Sequence, residues 1–214
     1  MSSSSRTIVF GDIHGCHEEW QALMDKLKVT AKDQLVTVGD LCSKGPSTRK
    51  TLDIAMKLPN LKCVMGNHDH SLLMHWKNNT LREITREHQK AVVEELGKDI
   101  DRYMGFIDKW PAYLELDECI VVHAGIRPDV PLAKQHLGDL IKLRKLEDEK
   151  PWWEHYKGKK LIVHGHWAAM GLVVRDNVIG LDTGCVYGRE LTALTLPSRE
   201  TVSVKAKKIY CAVD

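Results

Sequence analysis

Six polar residues stand where apolar runs stop: Asp12, His14, Asp40, Asn67, His123 and His166. They offer two carboxylates, three imidazoles and an amide, a mixed nitrogen and oxygen donor set that suits Mn²⁺, Fe or Zn²⁺ better than Ca²⁺ or an all-thiolate zinc site. Asp12 and His14, in an Asp-x-His arrangement, can face one ion, and a carboxylate such as Asp40 has two oxygens with which to bridge two ions ~3.5–4 Å apart. A bridged pair acidifies a shared water, which is hydrolytic chemistry. Each piece alone has a plainer explanation: Gly-Asp after a strand is usually a turn, a lone His at a strand end a satisfied polar group, and Asn67-His68-Asp69 a helix cap. Packing alone does not readily produce all of them in this order.

For these residues to meet, the elements before them must run side by side. Thr7-Ile8-Val9-Phe10 leads into Gly11-Asp12-Ile13-His14-Gly15, Leu35-Val36-Thr37-Val38 into Gly39-Asp40, and Leu61-Lys62-Cys63-Val64-Met65 into Gly66-Asn67-His68-Asp69. Cys119-Ile120-Val121-Val122 then leads into His123-Ala124-Gly125, and Leu161-Ile162-Val163 into His164-Gly165-His166. Five such runs, each closed by Asp, His or Asn beside Gly, read as buried strands of an α/β sheet with their chemistry at the carboxyl ends. Trp20, Leu23, Met24 and Leu27 recur at helical spacing and predict a helix over 16–28. Ser47 or Thr48 is placed to cap a second helix through Leu52, Ala55 and Met56, ended near Pro59. Residues 70–110 turn helical and charged, the pattern of a helical cap over one end of the sheet. Two short runs around Asp117-Glu118 read as a hairpin, 128–153 as loop and short helix, and the runs after 161 as mostly antiparallel strands.

The chain has 214 residues, 43% of them apolar and 28% charged. That is enough for one sizeable core, so a single catalytic domain over 6–214 is expected behind a disordered tail of 1–5. A formal charge of +2 is too small to argue for a membrane or an obligatory nucleic-acid partner, and any pull on an anionic substrate must be local. Lys142, Arg144 and Lys145 make one basic cluster; Lys205, Lys207 and Lys208 make another, which reads as a solvated face. The six cysteines show no CxxC pair and no disulfide-like spacing, which points to reduced thiols and a cytoplasmic location. No apolar leader and no span of ~20 apolar residues is present, so no membrane segment is expected.

Taken in order, Gly11-Asp12-Ile13-His14-Gly15, Gly39-Asp40 with Gly45, Gly66-Asn67-His68-Asp69, His123-Ala124-Gly125 and Gly165-His166 resemble the motif blocks of the calcineurin-like metallophosphoesterases. More narrowly, Lys44-Gly45-Pro46 and the run from Leu181 to Gly188, followed by Leu191-Thr192, are similar to the diadenosine-tetraphosphatase branch, the ApaH-like phosphatases. The resemblance implies an α/β sandwich of two mixed β-sheets flanked by helices, with a helical cap. It also implies two divalent metal ions, Mn²⁺ first, with Fe, Zn²⁺ and Co²⁺ as the others. Asp12, His14 and Asp40 would hold the first ion, and Asp40, Asn67, His123 and His166 the second, with His68 as the general acid. His164, two residues before His166, is a candidate to support the metal ligands from the same strand face.

Related Ser/Thr protein phosphatases carry Asp-Arg where this chain has Ser43-Lys44. The Asp that orients the catalytic His is therefore missing, which leaves Asp69 as the candidate for that role. Lys44 can neutralise phosphate only as a point charge, without the planar fork of Arg. Arg127, close after His123, and Arg144, in Leu143-Arg144, are further candidates for holding substrate phosphate. The reaction implied is cleavage of a phosphoanhydride in diadenosine tetraphosphate or a related dinucleoside or capped polyphosphate. A Ser/Thr phosphoprotein phosphatase, a polyphosphatase and a nucleotide-binding module without turnover are the alternatives. Oligomeric state and the particular substrate stay open at this point.

Overall fold

The structure is a computed structural model, and it describes residues 6–213; the tail expected over 1–5 lies outside the described residues. Two β-α units open the chain: β1 (Thr7–Phe10), α1 (His17–Lys26), β2 (Gln34–Thr37), α2 (Thr48–Lys57) and β3 (Leu61–Cys63). Their three strands are parallel neighbours, as continuous apolar runs joined by helices require. A helical segment follows, with α3 (Asn67–Lys77), α4 (Glu87–Leu96) and α5 (Ile100–Ile107). The chain then makes the hairpin β4 (Tyr113–Glu115) and β5 (Cys119–Val122), a short α6 (Leu137–Lys142), and β6 (Leu161–His164), β7 (Val173–Val174), β8 (Val178–Gly180), β9 (Glu190–Leu196) and β10 (Glu200–Lys205).

Among the described residues, ten strands form two five-stranded sheets, ordered β10-β9-β1-β2-β3 and β4-β5-β6-β8-β7. The facing layer is aliphatic: Val9, Val36, Val38 and Leu194 from the first sheet pack with Val121, Val163, Ile179 and Leu181 from the second. Alternation along β1 then sends Ile8 and Phe10 to the opposite face, where they pack in one core with Trp20 and Leu23 of α1, Leu52 of α2, Leu72 of α3, Val92 of α4 and Met104 of α5. The segment 67–107 thus shares its core with α1 and α2. On the outer face of the second sheet, Ile120, Ile162 and Val178 pack under Trp152, Trp153 and Ile141.

Two details depart from the sequence reading. The last third is less antiparallel than expected, because β6 pairs parallel with both β5 and β8. Both strands are buried along their whole length, the burial expected of strands covered on two faces in a parallel core. Helix α3 also begins at Asn67, three residues before the helical pattern became legible, and it starts from an extended Gly66 that brings no side-chain cap. Among the described residues, no helix is long and apolar enough to cross a membrane. All six cysteines are free thiols.

Candidate active site

Each sheet contributes three parallel strands, and all six deliver polar residues from their carboxyl ends to one seam. From the first sheet, β1 leads to Asp12 and His14, β2 to Asp40 and β3 to Asn67; from the second, β5 leads to His123, β6 to His166 and β8 to Asp182. The backbone turns sharply to do this, with φ of 46° at His14, 51° at Asp40 and 69° at His166. Side chains seldom accept such left-handed conformations, and those that do concentrate at functional sites. Glycines make the approach: a Cβ on Gly165 would stand 1.9 Å from Asp12 Oδ1, and one on Gly66 would stand 2.1 Å from Asp40 Oδ1.

Asp40 is the centre of the cluster. It is 1% exposed, and its Oδ2 lies 3.5 Å from His14 Nε2 and 3.4 Å from His123 Nε2. Asp12 accepts the backbone amide of His166 on both oxygens, at 3.1 and 3.2 Å, which ties the first sheet to the second. Asn67 Oδ1 accepts from His123 Nε2 at 2.9 Å and from His166 Nδ1 at 2.8 Å. The rings are aimed from behind, because His14 Nδ1 donates to the Cys42 carbonyl at 3.1 Å and His123 Nδ1 donates to the Val38 carbonyl at 2.8 Å. Backbone bonds of this kind fix which nitrogen is left to face the site.

The electrostatics show what the cluster lacks. Burial holds His14 down at about 4, so at neutral pH the lone pair on Nε2 confronts a carboxylate oxygen with nothing positive between them. His123 goes the other way: burial would lower it, but Asp40 and Asp12 push it up to about 10, and its imidazolium helps hold Asp40 well below the usual carboxylate range against the cost of burial. Burial and the neighbouring Asp182 raise Asp12. Buried carboxylates, aimed imidazole nitrogens and a shortage of positive charge are the conditions a divalent cation relieves. At this seam two groups of donor atoms lie within 4.8 Å of one another, His14–Asp40–His68 and Asp12–Asp40–His123, and share only Asp40, with His68 standing next to the first position rather than among the expected ligands. The residues therefore fit two adjacent ions. The packing pairs Asp12 with His123 more closely than the resemblance implied.

His68 lines the same cavity, of about 460 Å³. Its ring meets His14 edge-on at 5.0 Å and His88 at 5.3 Å, and burial, with His14 and Lys44 adding to it against Asp40, brings it down to about 3. Lys44 reaches the cavity held by Tyr187: Nζ donates to the Tyr187 hydroxyl at 2.6 Å and lies 5.2 Å from the ring centre. Arg144 is on the rim, with Nη2 donating to the His166 carbonyl at 3.2 Å.

Three sequence candidates are placed elsewhere. Asp69 does not touch His68; its carboxylate accepts the amides of Leu41 and Cys42 at 3.4 and 3.0 Å, because adjacent helical residues point about 100° apart. Its work is to shape the loop that carries Asp40. Arg127 lines no part of the cavity, and its guanidinium is taken by Asp139 and Glu147 at 2.9 and 2.6 Å. His164 is in neither donor group and instead stacks on Trp153 at 5.2 Å. The strand ends at His164, so the same-face expectation for His164 and His166 fails at the turn through Gly165.

Sequence reasoning missed Asp182. It is 7% exposed, lines the cavity and is pushed up to about 6, by burial first and by Asp40. The signal was present, since Val178-Ile179-Gly180-Leu181 running into Asp182-Thr183-Gly184 repeats the pattern of the other five strands. Tyr187 and Trp167, the cavity's aromatic residues, and Arg86 had no comparable local signal.

Two facing mixed sheets with such a donor cluster at their seam are the architecture of the metallophosphoesterases. A model of the calcineurin-like phosphoesterases matches residues 5–193, and the chain belongs to that family. Its members use a binuclear divalent metal centre. The chain is 31% identical over 232 residues to a Bis(5'-nucleosyl)-tetraphosphatase PrpE [asymmetrical] of Bacillus subtilis, with 94% of this chain and 95% of the relative covered. A Bis(5'-nucleosyl)-tetraphosphatase, symmetrical, of a Janthinobacterium species is 27% identical over 267 residues, covering 93% and 96%. Among solved structures, one described as a candidate diadenosine tetraphosphatase superposes with a TM-score of 0.84 at 28% identity, covering 96% and 95%. A protein serine/threonine phosphatase from Saccharomyces cerevisiae gives 0.65 at 14% identity, covering 100% of this chain and 82% of the neighbour, which is a likeness of fold.

Proposed function

We propose that this protein hydrolyses a phosphoanhydride bond of dinucleoside polyphosphates, with diadenosine tetraphosphate as the first substrate to test. The observation that carries the reading is Asp40, buried with one oxygen 3.5 and 3.4 Å from two imidazole nitrogens of different sheets. Asp12, His14, Asp40, Asn67, His123 and His166 would hold two divalent ions, Mn²⁺ before Fe, Zn²⁺ or Co²⁺. Such a pair supplies Lewis-acid stabilisation of phosphoryl oxygens and a water acidic enough to react near neutrality.

The chain's own groups do the rest. Lys44, fixed by Tyr187, and Arg144 on the rim line the same cavity and would offset the negative charge that a phosphoryl group gains. His68 lines the cavity beside His14, and we assign it the protonation of the leaving oxygen. Alone it is neutral at pH 7, and the negative charges of a bound polyphosphate would raise it toward the acid's range. A phosphoanhydride releases a stabilised phosphate and tolerates a weakly oriented acid; a seryl phosphoester does not. His68 Nδ1 and Ser43 Oγ are both buried without a partner, which fits a site that dispenses with the orienting Asp of protein phosphatases. Relatives named as bis(5'-nucleosyl)-tetraphosphatases support the same choice. The free thiols fit a cytoplasmic setting.

Mn²⁺-loaded protein should show a kcat/KM for diadenosine tetraphosphate well above that for a phosphoserine peptide at matched pH. A preference for the peptide would replace this reading with a Ser/Thr phosphoprotein phosphatase.

A further inference from the structure

Beside the catalytic cavity lies a second one of about 600 Å³, and the two share Asn67, Arg86, Arg144 and His166 in their walls. They are two lobes of one groove. The second lobe runs along α3 and the start of α4 to Lys142 at the end of α6.

The chemistry of this lobe is one-sided. Arg86, Lys142 and Arg144 line it against a single carboxylate, Glu83, and no Phe, Tyr or Trp is in its wall. Arg86 and Lys142 are exposed, and among the described residues neither makes an ion pair, whereas Arg127 and Arg49 are both tied to carboxylates. Gln89, in the first turn of α4, also lines the lobe. It is 2% exposed, its Oε1 receives Ser71 Oγ at 3.5 Å, and its Nε2 has no hydrogen-bond partner. A buried amide donor without an acceptor is costly, and one beside uncommitted cations marks a place for anionic oxygen.

We propose that the second lobe is a subsite for the phosphates beyond the scissile one: a linear polyphosphate chain crosses Arg86 and Arg144 and passes Lys142 and Gln89, with any second nucleoside lying beyond the lobe. The inference rests on the phosphohydrolase reading above. Without an aromatic surface the lobe gives a base nothing to stack on, whereas the first lobe has Trp167 and Tyr187. The chain therefore lies with its phosphates toward α4 and α6 and a nucleoside toward Trp167.

The test compares wild type, Lys142→Ala and Gln89→Met, all Mn²⁺-loaded, on diadenosine tetraphosphate and on p-nitrophenyl phosphate. Inorganic tripolyphosphate and orthophosphate serve as competitive inhibitors of the aryl phosphate reaction. Each variant should raise KM for the tetraphosphate by about tenfold, the scale of one charge-assisted contact, with kcat held and kcat/KM for the aryl phosphate within about twofold. Tripolyphosphate should inhibit wild type at lower concentration than orthophosphate, and Lys142→Ala should remove most of that advantage. Because Lys142 is a surface residue, its variant reads the subsite even if Gln89→Met fails to fold. An unchanged KM, or no advantage of tripolyphosphate over orthophosphate, overturns the subsite while leaving the hydrolase reading intact. Failure of wild type to hydrolyse either substrate overturns the reading beneath it.

Discussion

The backbone amide of His68 donates to Asp40 Oδ1 at 2.9 Å while the other oxygen of that carboxylate faces His14 and His123. One side chain thus closes the open first turn of α3 and occupies the centre of the donor cluster. The helix that presents Asn67 and His68 is positioned by the residue it works beside.

Asp40→Asn separates these two duties. An Asn Oδ1 can still accept the His68 amide, so α3 should keep its start and far-ultraviolet circular dichroism should be unchanged. The charge that holds cations is gone, so metal content should fall and activity should drop by more than ~10², beyond what disturbing a supporting residue usually costs. A variant that retains two metal equivalents and near-normal turnover would remove Asp40 from the bridge.

Removal of metal should abolish turnover, and Mn²⁺ or Co²⁺ should restore it, since the donors are nitrogen and oxygen and must be refilled from solution. Metal should also raise the melting temperature, because the ions bind a site that the unfolded chain lacks. Full activity after exhaustive chelation, verified by metal analysis, would contradict the donor assignment.

His68→Asn should leave metal occupancy intact and slow substrates with poor leaving groups by ~10²–10⁴, the range of general-acid catalysis. An activated aryl phosphate should lose far less. Equal losses on both would make His68 a packing partner of His14 and His88.

Tyr187→Phe keeps the ring beside Lys44 and deletes the hydroxyl that fixes Nζ at 2.6 Å. KM should rise several-fold with metal content unchanged. A double-mutant cycle with Lys44→Met should give a coupling of about 0.5–3 kcal/mol, as for residues in direct contact. Additive effects would mean that Tyr187 acts without Lys44.

A further variant concerns stability rather than chemistry. Glu95 of α4 accepts the Ser47 hydroxyl at 2.5 Å and the amides of Thr48 and Arg49 at 3.0 and 3.2 Å, so it closes the amino end of α2 from another helix. Glu95→Ala should cost about 1–3 kcal/mol, the range for stranding partly buried donors, read as a lower urea midpoint at an unchanged slope. A midpoint equal to that of wild type would show water replacing the carboxylate at no cost.

What was legible in the sequence was what local order dictates. Runs such as Ile8–Phe10 and Cys119–Val122 are apolar because both faces are covered, and the Gly beside each following polar residue marks a left-handed turn, as at Gly15 and Gly39, or a place where a Cβ would collide, as at Gly66 and Gly165. Asp69 and His164 were misplaced where a helix begins or a strand ends, since the direction of a side chain there depends on a turn rather than on a repeat. Arg127 was misjudged because its partners, Asp139 in the short α6 and Glu147 in the loop after it, come from a segment too short to show a periodic pattern. The Lys44–Tyr187 pair spans 143 positions, and no pattern in a single chain announces a contact of that separation.

The bond from the His166 amide to Asp12 crosses from one sheet to the other, so the reactive centre is a joint between two half-proteins rather than a pit in one of them. Its geometry must loosen as soon as the sheets slide, while each sheet still keeps its own ladder of hydrogen bonds. On gentle heating, turnover should therefore fade before ellipticity does, and catalysis becomes the more sensitive thermometer of the molecule.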